Sequence, residues 1–142
     1  LDLFAGSGTF ALAAAKARAQ VHAVEFDSIQ LEALKNAAEI EDFSELVTCE
    51  KRDLKRRPML EPELRRFDVV ILDPPRAGAE KQVKQLARSN VPKVIYISCN
   101  PDTLAVNLEQ LTRTHRIVRL ALFDQFPFTH HCECGVLLER RS

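Results

Sequence analysis

Hydrophobic residues recur along this chain in two rhythms that take turns. Short apolar runs rich in β-branching stand at 21–25 (VHAVE), 47–50, 67–72 (FDVVIL) and 94–98 (VIYIS). Between them lie stretches where apolar side chains return every third or fourth position, as in Ile29, Leu31, Leu34, Ala37 and Ala38, or Leu104, Leu108 and Leu111. The first pattern predicts buried strands and the second amphipathic helices. The unbroken run at 67–72 has the character of a strand covered on both faces. Residues 1–4 read as the end of a first strand, and Ala5-Gly6-Ser7-Gly8-Thr9 as a tight turn into an alanine-rich helix that reaches about residue 18. Ser28 is the predicted N-cap of the second helix. Asn100 and Pro101 are the predicted N-cap and first residue of a later one, since proline has the φ required there and lacks only an amide hydrogen that no helical partner would take. A further helix is predicted at 80–88, strands at 117–123 and 135–139, and a loop at 124–131, while 63–66 is too short to assign. Strand and helix alternate up to the last two strands. The implied fold is α/β, a mainly parallel doubly wound sheet whose final strand inserts antiparallel.

Composition narrows this picture without redirecting it. The 142 residues suffice for one hydrophobic core, which predicts a single domain over 1–142. Hydrophobic residues at 46% and charged residues at 28% are ordinary for a soluble protein, and no apolar run approaches a membrane span or a secretory leader. Cysteines at 49, 99, 132 and 134 follow no framework spacing, which predicts a reducing, cytoplasmic setting without disulfides. The balance of 20 basic and 20 acidic residues argues against this stretch acting alone as a strong nucleic-acid binder. Leu1 already stands inside a strand, so the chain is expected to be the C-terminal part of a longer protein. The sequence leaves the oligomeric state open.

In an open α/β sheet, ligands sit beyond the carboxyl ends of the strands. Gly6, Gly8, Glu25, Asp53, Asp73, Cys99 and the 124–133 segment all fall on that edge of the predicted sheet. Gly6-Ser7-Gly8-Thr9-Phe10-Ala11 fits a loose G-x-G-x-x-A fingerprint, and Glu25 stands where an acid would receive ribose hydroxyls. Those features suit a nicotinamide dinucleotide or S-adenosylmethionine, and the glycine motif alone does not separate the two. Asp73-Pro74-Pro75 adds an acid presented on a stiff, extended segment, an element that nicotinamide enzymes do not generally need. Arg76 is equally suited to a phosphate or to a nearby acid. Cys99 sits between a strand end and a helix N-terminus, where the helix dipole favours thiolate and hence nucleophilic character. The 123–134 segment (FDQFPFTHHCEC) offers His, Cys and Glu, but adjacent histidines followed by C-x-C lack the spacing of usual zinc sites, so no metal is expected. The better reading takes Glu133 as an acid or base entering the cleft of Cys99, with the preceding aromatic residues as a wall for a flat ring. The basic residues at 51–57, 65–66 and 113–119 are solvated faces, of which 51–57 lies near enough to the edge to touch RNA phosphate.

DLFAGSGTF, LDPPRAG, ISCNPDTLA and FDQFPFTHHCE, in that order, resemble the RNA uracil-C5 methyltransferases, which make 5-methyluridine in tRNA and ribosomal RNA. The resemblance covers essentially the whole chain. The glycine motif and DPP are shared widely among methyltransferases, whereas SCNP together with the late THHxE is specific. Membership implies a Rossmann-like fold that uses S-adenosylmethionine, an RNA substrate, a nucleophile at Cys99 and a base at Glu133 that removes the C5 proton. It implies cofactor contacts at Phe4, Thr9, Glu25 and Asp73, beside the turn of Gly6 and Gly8. The family usually carries an RNA-binding domain upstream of the first motif, in some members with an iron–sulfur site. Phe128 stands where relatives often have histidine or tyrosine, a difference that bears on base stacking. Two rivals stand beside this reading: a nicotinamide-dependent oxidoreductase built on Gly6, Gly8 and Glu25, and a fragment that binds RNA or cofactor without turnover.

Overall fold

The computed structural model of the chain describes residues 1–123 and 132–142. Two compact units divide it, Leu1–Arg57 and Pro58–Ser142. The first contains β1 (Asp2–Leu3), α1 (Thr9–Lys16), β2 (Val21–Glu25), α2 (Ser28–Ile40) and β3 (Val47–Lys51). Its strands run parallel in the order β3-β2-β1. Ala11 and Ala15 of α1 pack with Leu34 and Ala38 of α2 and with Val21, Ala23 and Val47 of the strands. Alanine serves twice there, as the strongest helix former and as a side chain short enough to let helix and sheet approach closely. Helix α1 ends at Lys16, short of the predicted 18, where Arg18 adopts a φ of 65°. The cap of α2 is Asp27 and not Ser28: the Asp27 carboxylate accepts from the amides of Ile29 (2.8 Å) and Gln30 (3.3 Å), leaving Ser28 as the first helical residue.

The second unit contains α3 (Glu61–Leu64), β4 (Val69–Leu72), α4 (Glu80–Arg88), β5 (Lys93–Ser98), α5 (Pro101–Leu111), β6 (His115–Phe123) and β7 (Glu133–Arg140). Its strands are ordered β4-β5-β7-β6, with β4 and β5 parallel and β7 antiparallel to both of its neighbours. The predicted antiparallel insertion of the last strand is therefore observed. Asn100 caps α5 as predicted, its Oδ1 accepting from the amides of Asp102 (3.0 Å) and Thr103 (3.5 Å), with Pro101 in the first turn. Short α3 overlaps the stretch at 63–66 that is too short to assign from pattern alone. It is tied down by buried Gln82, whose amide exchanges two hydrogen bonds with the backbone of Met59 (2.8 and 3.1 Å), and by Gln85, which accepts from Glu61 N.

Several strand limits differ from expectation, most of them by one or two residues. β4 starts at Val69 because the Phe67 amide turns back to Leu64 O (3.1 Å) and never joins the ladder. β6 begins earlier than predicted, at His115, and β7 begins at Glu133, before the predicted 135. Nor is the sheet of this unit covered equally on both faces. Val70, Leu72, Val94, Tyr96, Val136 and Leu138 are 0–1% exposed, whereas the alternate residues Ile71, Ile95, Ile97 and Leu137 are only half-buried. With a period of two along each strand, this divides the sheet into a closed face and a more open one. Among the described residues, no helix is long and apolar enough to cross a membrane.

Candidate active site

The glycine turn after β1 is built from unusual backbone. Phe4 holds a φ of 62°, Gly6 56° and Gly8 98°, all in the left-handed region. For a phenylalanine this is a sparsely populated conformation, of the kind that persists where the surroundings enforce it. A side chain is excluded sterically at Gly8, while at Gly6 the left-handed φ is the obstacle and exposed Gln30 could move aside. A Cβ on Gly6 would lie 2.9 Å from Gln30 Oε1, and one on Gly8 would run into Leu34. Thr9 opens α1 immediately afterwards and is exposed.

Glu25, at the end of β2, is locked to this turn. Its Oε2 accepts from the Gly6 amide (2.9 Å), and its Oε1 accepts from the amides of Phe26 (2.7 Å) and Asp27 (2.9 Å). Three backbone donors fix the carboxylate without a cation, and a carboxylate has about four lone-pair positions, so it keeps acceptor capacity for a ligand. A rigid acid with acceptor capacity left, beside a turn of left-handed backbone, suits the ribose of an adenosine cofactor. Asp53, also expected on this edge, turns inward on its own loop and accepts from the amides of Lys55 (3.0 Å) and Arg56 (3.2 Å). Lys55, Arg56 and Arg57 are left exposed on that loop.

In the second unit the strand register gathers the remaining candidates. The last β5–β7 pair is Ser98 with Cys134, so Cys99, just past the end of β5, and Glu133, the first residue of β7, come next beyond it. β4 and β5 pair through Leu72 and Tyr96, so Asp73 follows alongside Ile97. With alternation of side chains, Asp73, Cys99 and Glu133 share the parity of Ile95, Ile97 and Leu137, the more open face. All three are half-buried. The proximity of Asp73 and Glu133 has an electrostatic signature: the Asp73 pKa is pushed up to about 6, first by burial and then by the charge of Glu133. Glu133 also pairs with Phe123 of β6, and the Phe123 ring covers Gly135, reaching 3.4 Å from where a Cβ would stand. Glu133 is thus the first residue of a strand and not part of a loop, which gives it a defined direction.

Sequence reading did not single out Gly135, which lies in van der Waals reach of the Phe123 ring, because nothing local marks that contact. The aromatic wall at Phe126 and Phe128 and the His130-His131 pair weighed for a metal lie outside the described residues.

The raised Asp73 pKa has a consequence for stability. The folded state keeps a proton that the unfolded chain, at an ordinary 3.8, releases between about pH 4 and 6. Stability therefore falls as pH rises through that window, and above it the ionised carboxylate opposes folding. Asp73→Asn is expected to raise folding stability at pH 7.5 by about 1–2 kcal/mol once solvent screening of a half-buried group is allowed for, seen as a higher thermal midpoint, and to leave both nearly unchanged at pH 4. Scanning fluorimetry across pH checks this; an equal shift at both pH values would remove the electrostatic explanation.

The family model described as tRNA (uracil-5-)-methyltransferase matches residues 1–141. An uncharacterised RNA methyltransferase of Agrobacterium fabrum is 49% identical over 98% of this chain, which spans 33% of that relative. A tRNA/tmRNA (uracil-C(5))-methyltransferase of Proteus mirabilis is 40% identical over 99% of this chain and 42% of its own length. The crystal structure of a Pyrococcus abyssi tRNA (uracil-54, C5)-methyltransferase in complex with S-adenosyl-L-homocysteine superposes with a TM-score of 0.85 at 32% identity, over 96% of this chain and 33% of that one. A magnesium protoporphyrin IX methyltransferase from Synechocystis with bound SAM, at 16% identity and a TM-score of 0.73, shares the fold. The chain thus has the Rossmann-like methyltransferase fold, and it spans well under half the length of these uracil-directed relatives.

Proposed function

Because the chain belongs to the tRNA (uracil-5-)-methyltransferase family, we propose that it is the catalytic part of an enzyme that methylates C5 of a uridine in RNA, with tRNA as the substrate class and S-adenosylmethionine as the donor. The observation that carries the reading is the register that sets Cys99 beside Glu133 on the open sheet face, with Asp73 near enough to feel the glutamate's charge. Family membership removes the nicotinamide oxidoreductase as a rival.

The donor supplies an electrophilic methyl group on a sulfonium. Glu25 would receive its ribose hydroxyls, Gly6 and Gly8 would let it lie against the backbone, and Phe4 and Thr9 would flank it. Uracil C5 is too weakly nucleophilic to take the methyl unaided. The Cys99 thiolate adds to C6, and the electron pair of the C5–C6 double bond moves into the ring as an enolate with density at C5. C5 would then bond to the methyl group as the donor's methyl–sulfur bond breaks, the electron pair of that bond staying on sulfur as a neutral thioether. Glu133 takes the C5 proton, the double bond re-forms, and the C6–S bond breaks to return the thiolate. Asp73, accepting from a ring N–H or from the donor, would orient the reactants. Addition at C6 and transfer at C5 both take place on the faces of the ring, which stacking covers inside a helix, so the base must be single-stranded or flipped out.

The test is incubation of the intact protein with 5-fluorouracil-substituted tRNA and the methyl donor. Fluorine cannot leave as a proton does, so the expected product is a stalled covalent complex whose crosslinked peptide contains Cys99. Methyl donor and RNA bound without crosslink or transfer would instead identify a binder without turnover.

A further inference from the structure

The loop that carries Asp73 and the turn that carries Cys99 are joined by a contact that the reaction scheme does not use. The carbonyl of Arg76 accepts from Asn100 Nδ2 (3.2 Å) and from Thr103 Oγ1 (3.2 Å). Each donor has a second task on the nucleophile's side. Asn100 caps α5 through its Oδ1, and the Thr103 hydroxyl also lies 3.2 Å from Asn100 O. The Ser98 hydroxyl closes the turn around Cys99 from within, donating to Asn100 O (3.0 Å) and accepting from Asn100 N (3.1 Å). On the loop side, Gly78 completes the bend with its amide on Pro75 O (2.8 Å) and a φ of 75°. A Cβ there would lie 2.7 Å from Asn107 Nδ2, which itself donates to Thr103 O (2.7 Å). The Asp-Pro-Pro-Arg-Ala-Gly loop is therefore pressed onto the first turns of α5 at three points: Asn100, Thr103 and Asn107.

We propose that Asn100 and Thr103 are positioning residues that clamp the Arg76 carbonyl, so that the Asp73 loop and the Cys99 turn hold one fixed relation. The proposal rests on the reading of Cys99 as nucleophile. Its physical basis is that displacing a reacting group by about 1 Å can cost roughly 10²-fold in rate, and Cys99 lies in a two-residue link between a strand and a helix. With one end fixed by β5, the cap residue at the other end decides where the sulfur points. The clamp fixes that residue against a second loop.

The chemistry of the cap makes this separable from ordinary stability. Serine caps a helix about as well as asparagine, but it is too short to reach Arg76 O and carries no charge. In the intact protein, Asn100→Ser is expected to lower kcat about 10–100-fold, with the KM for the methyl donor within about twofold of wild type and the thermal midpoint nearly unchanged. Thr103→Val is expected to act in the same direction and more weakly, and Thr103→Ser, which keeps the hydroxyl, to restore kcat. The second measurement needs neither RNA nor donor: the rate at which iodoacetamide alkylates Cys99, followed by peptide mass. Releasing the clamp should raise this rate at least threefold in Asn100→Ser and Thr103→Val, because a loosened turn admits a small reagent while aiming the sulfur less well at a base. Turnover down with alkylation up supports the clamp. Wild-type behaviour in both measurements, or a loss of turnover accompanied by a lower melting point or by slower or unchanged alkylation, overturns it. Should the wild type transfer no methyl group at all, the functional reading fails, and the alkylation rates alone then decide the clamp by the same two directions.

Discussion

Replacing Cys99 with alanine is expected to abolish methyl transfer in the intact protein, to below one part in about 10³ of wild type, while leaving the affinity for S-adenosylmethionine within about twofold. The size of the first effect follows from the substrate. Without a sulfur bond at C6 no density accumulates at C5, and no other described side chain on the open face of the sheet is a comparable nucleophile at neutral pH. The smallness of the second follows from where the donor's candidate ligands stand, on the Phe4–Thr9 turn and at Glu25, each held by its own backbone contacts. Removing one sulfur from a half-buried position should change folding stability by about 0.5 kcal/mol or less. Single-turnover transfer of labelled methyl groups, with donor binding measured in parallel by calorimetry, checks both halves. Retained turnover would remove Cys99 from the chemistry; lost turnover together with lost donor binding would show that the substitution had damaged more than the nucleophile.

The parts of this site that could be read from the sequence are those fixed by neighbours in the chain. VIYISCNP announces a strand, a turn and a helix start because β-branching, an asparagine cap and a proline all act within a few residues. The same locality explains the error at α2. Asp27 and Ser28 are both competent caps, and the choice fell on Asp27, whose carboxylate reaches two amides. What locality does not encode is pairing. Glu133 looked like the end of a loop, yet it begins β7, because its place is set by Phe123 on one side and by the Ser98–Cys134 pair on the other, far away in sequence. The left-handed φ of Phe4, the three amides that cradle Glu25 and the grip on Arg76 O are likewise backbone geometry, and no residue type announces them in advance. The half-open face is a related case. FDVVIL reads as covered on both sides, but Ile71 is only half-buried while Val70 and Leu72 are closed off. That asymmetry is what leaves Asp73, Cys99 and Glu133 accessible.

Exchanging Glu133 for glutamine should leave the first half of the reaction running and stop the second. Glutamine matches glutamate in shape and can still meet Phe123 across the β6–β7 pair, but it cannot take up a proton. After methylation, C5 carries both its original hydrogen and the new methyl group, and C6 is still bonded to sulfur. The thiolate can leave only as that hydrogen departs as a proton, so the protein remains attached to its RNA. The expected result is a band of slower mobility that survives denaturant, with a mass equal to protein plus methylated RNA, and steady-state turnover reduced by about 10²–10⁴-fold, the usual contribution of a positioned base. Turnover near wild type, or its loss without any adduct while Cys99 still reacts with iodoacetamide, would exclude Glu133 as the base. A second reading of the same variant is independent of RNA. Because the charge of Glu133 is one of the two causes that lift Asp73 to about 6, its removal should move the Asp73 titration down toward the ordinary carboxylate range without restoring it fully, since burial, the larger cause, persists. Carboxyl-detected NMR titration would follow this. A downward shift would establish that the two acids share one electrostatic environment, as a base working beside a second carboxylate must.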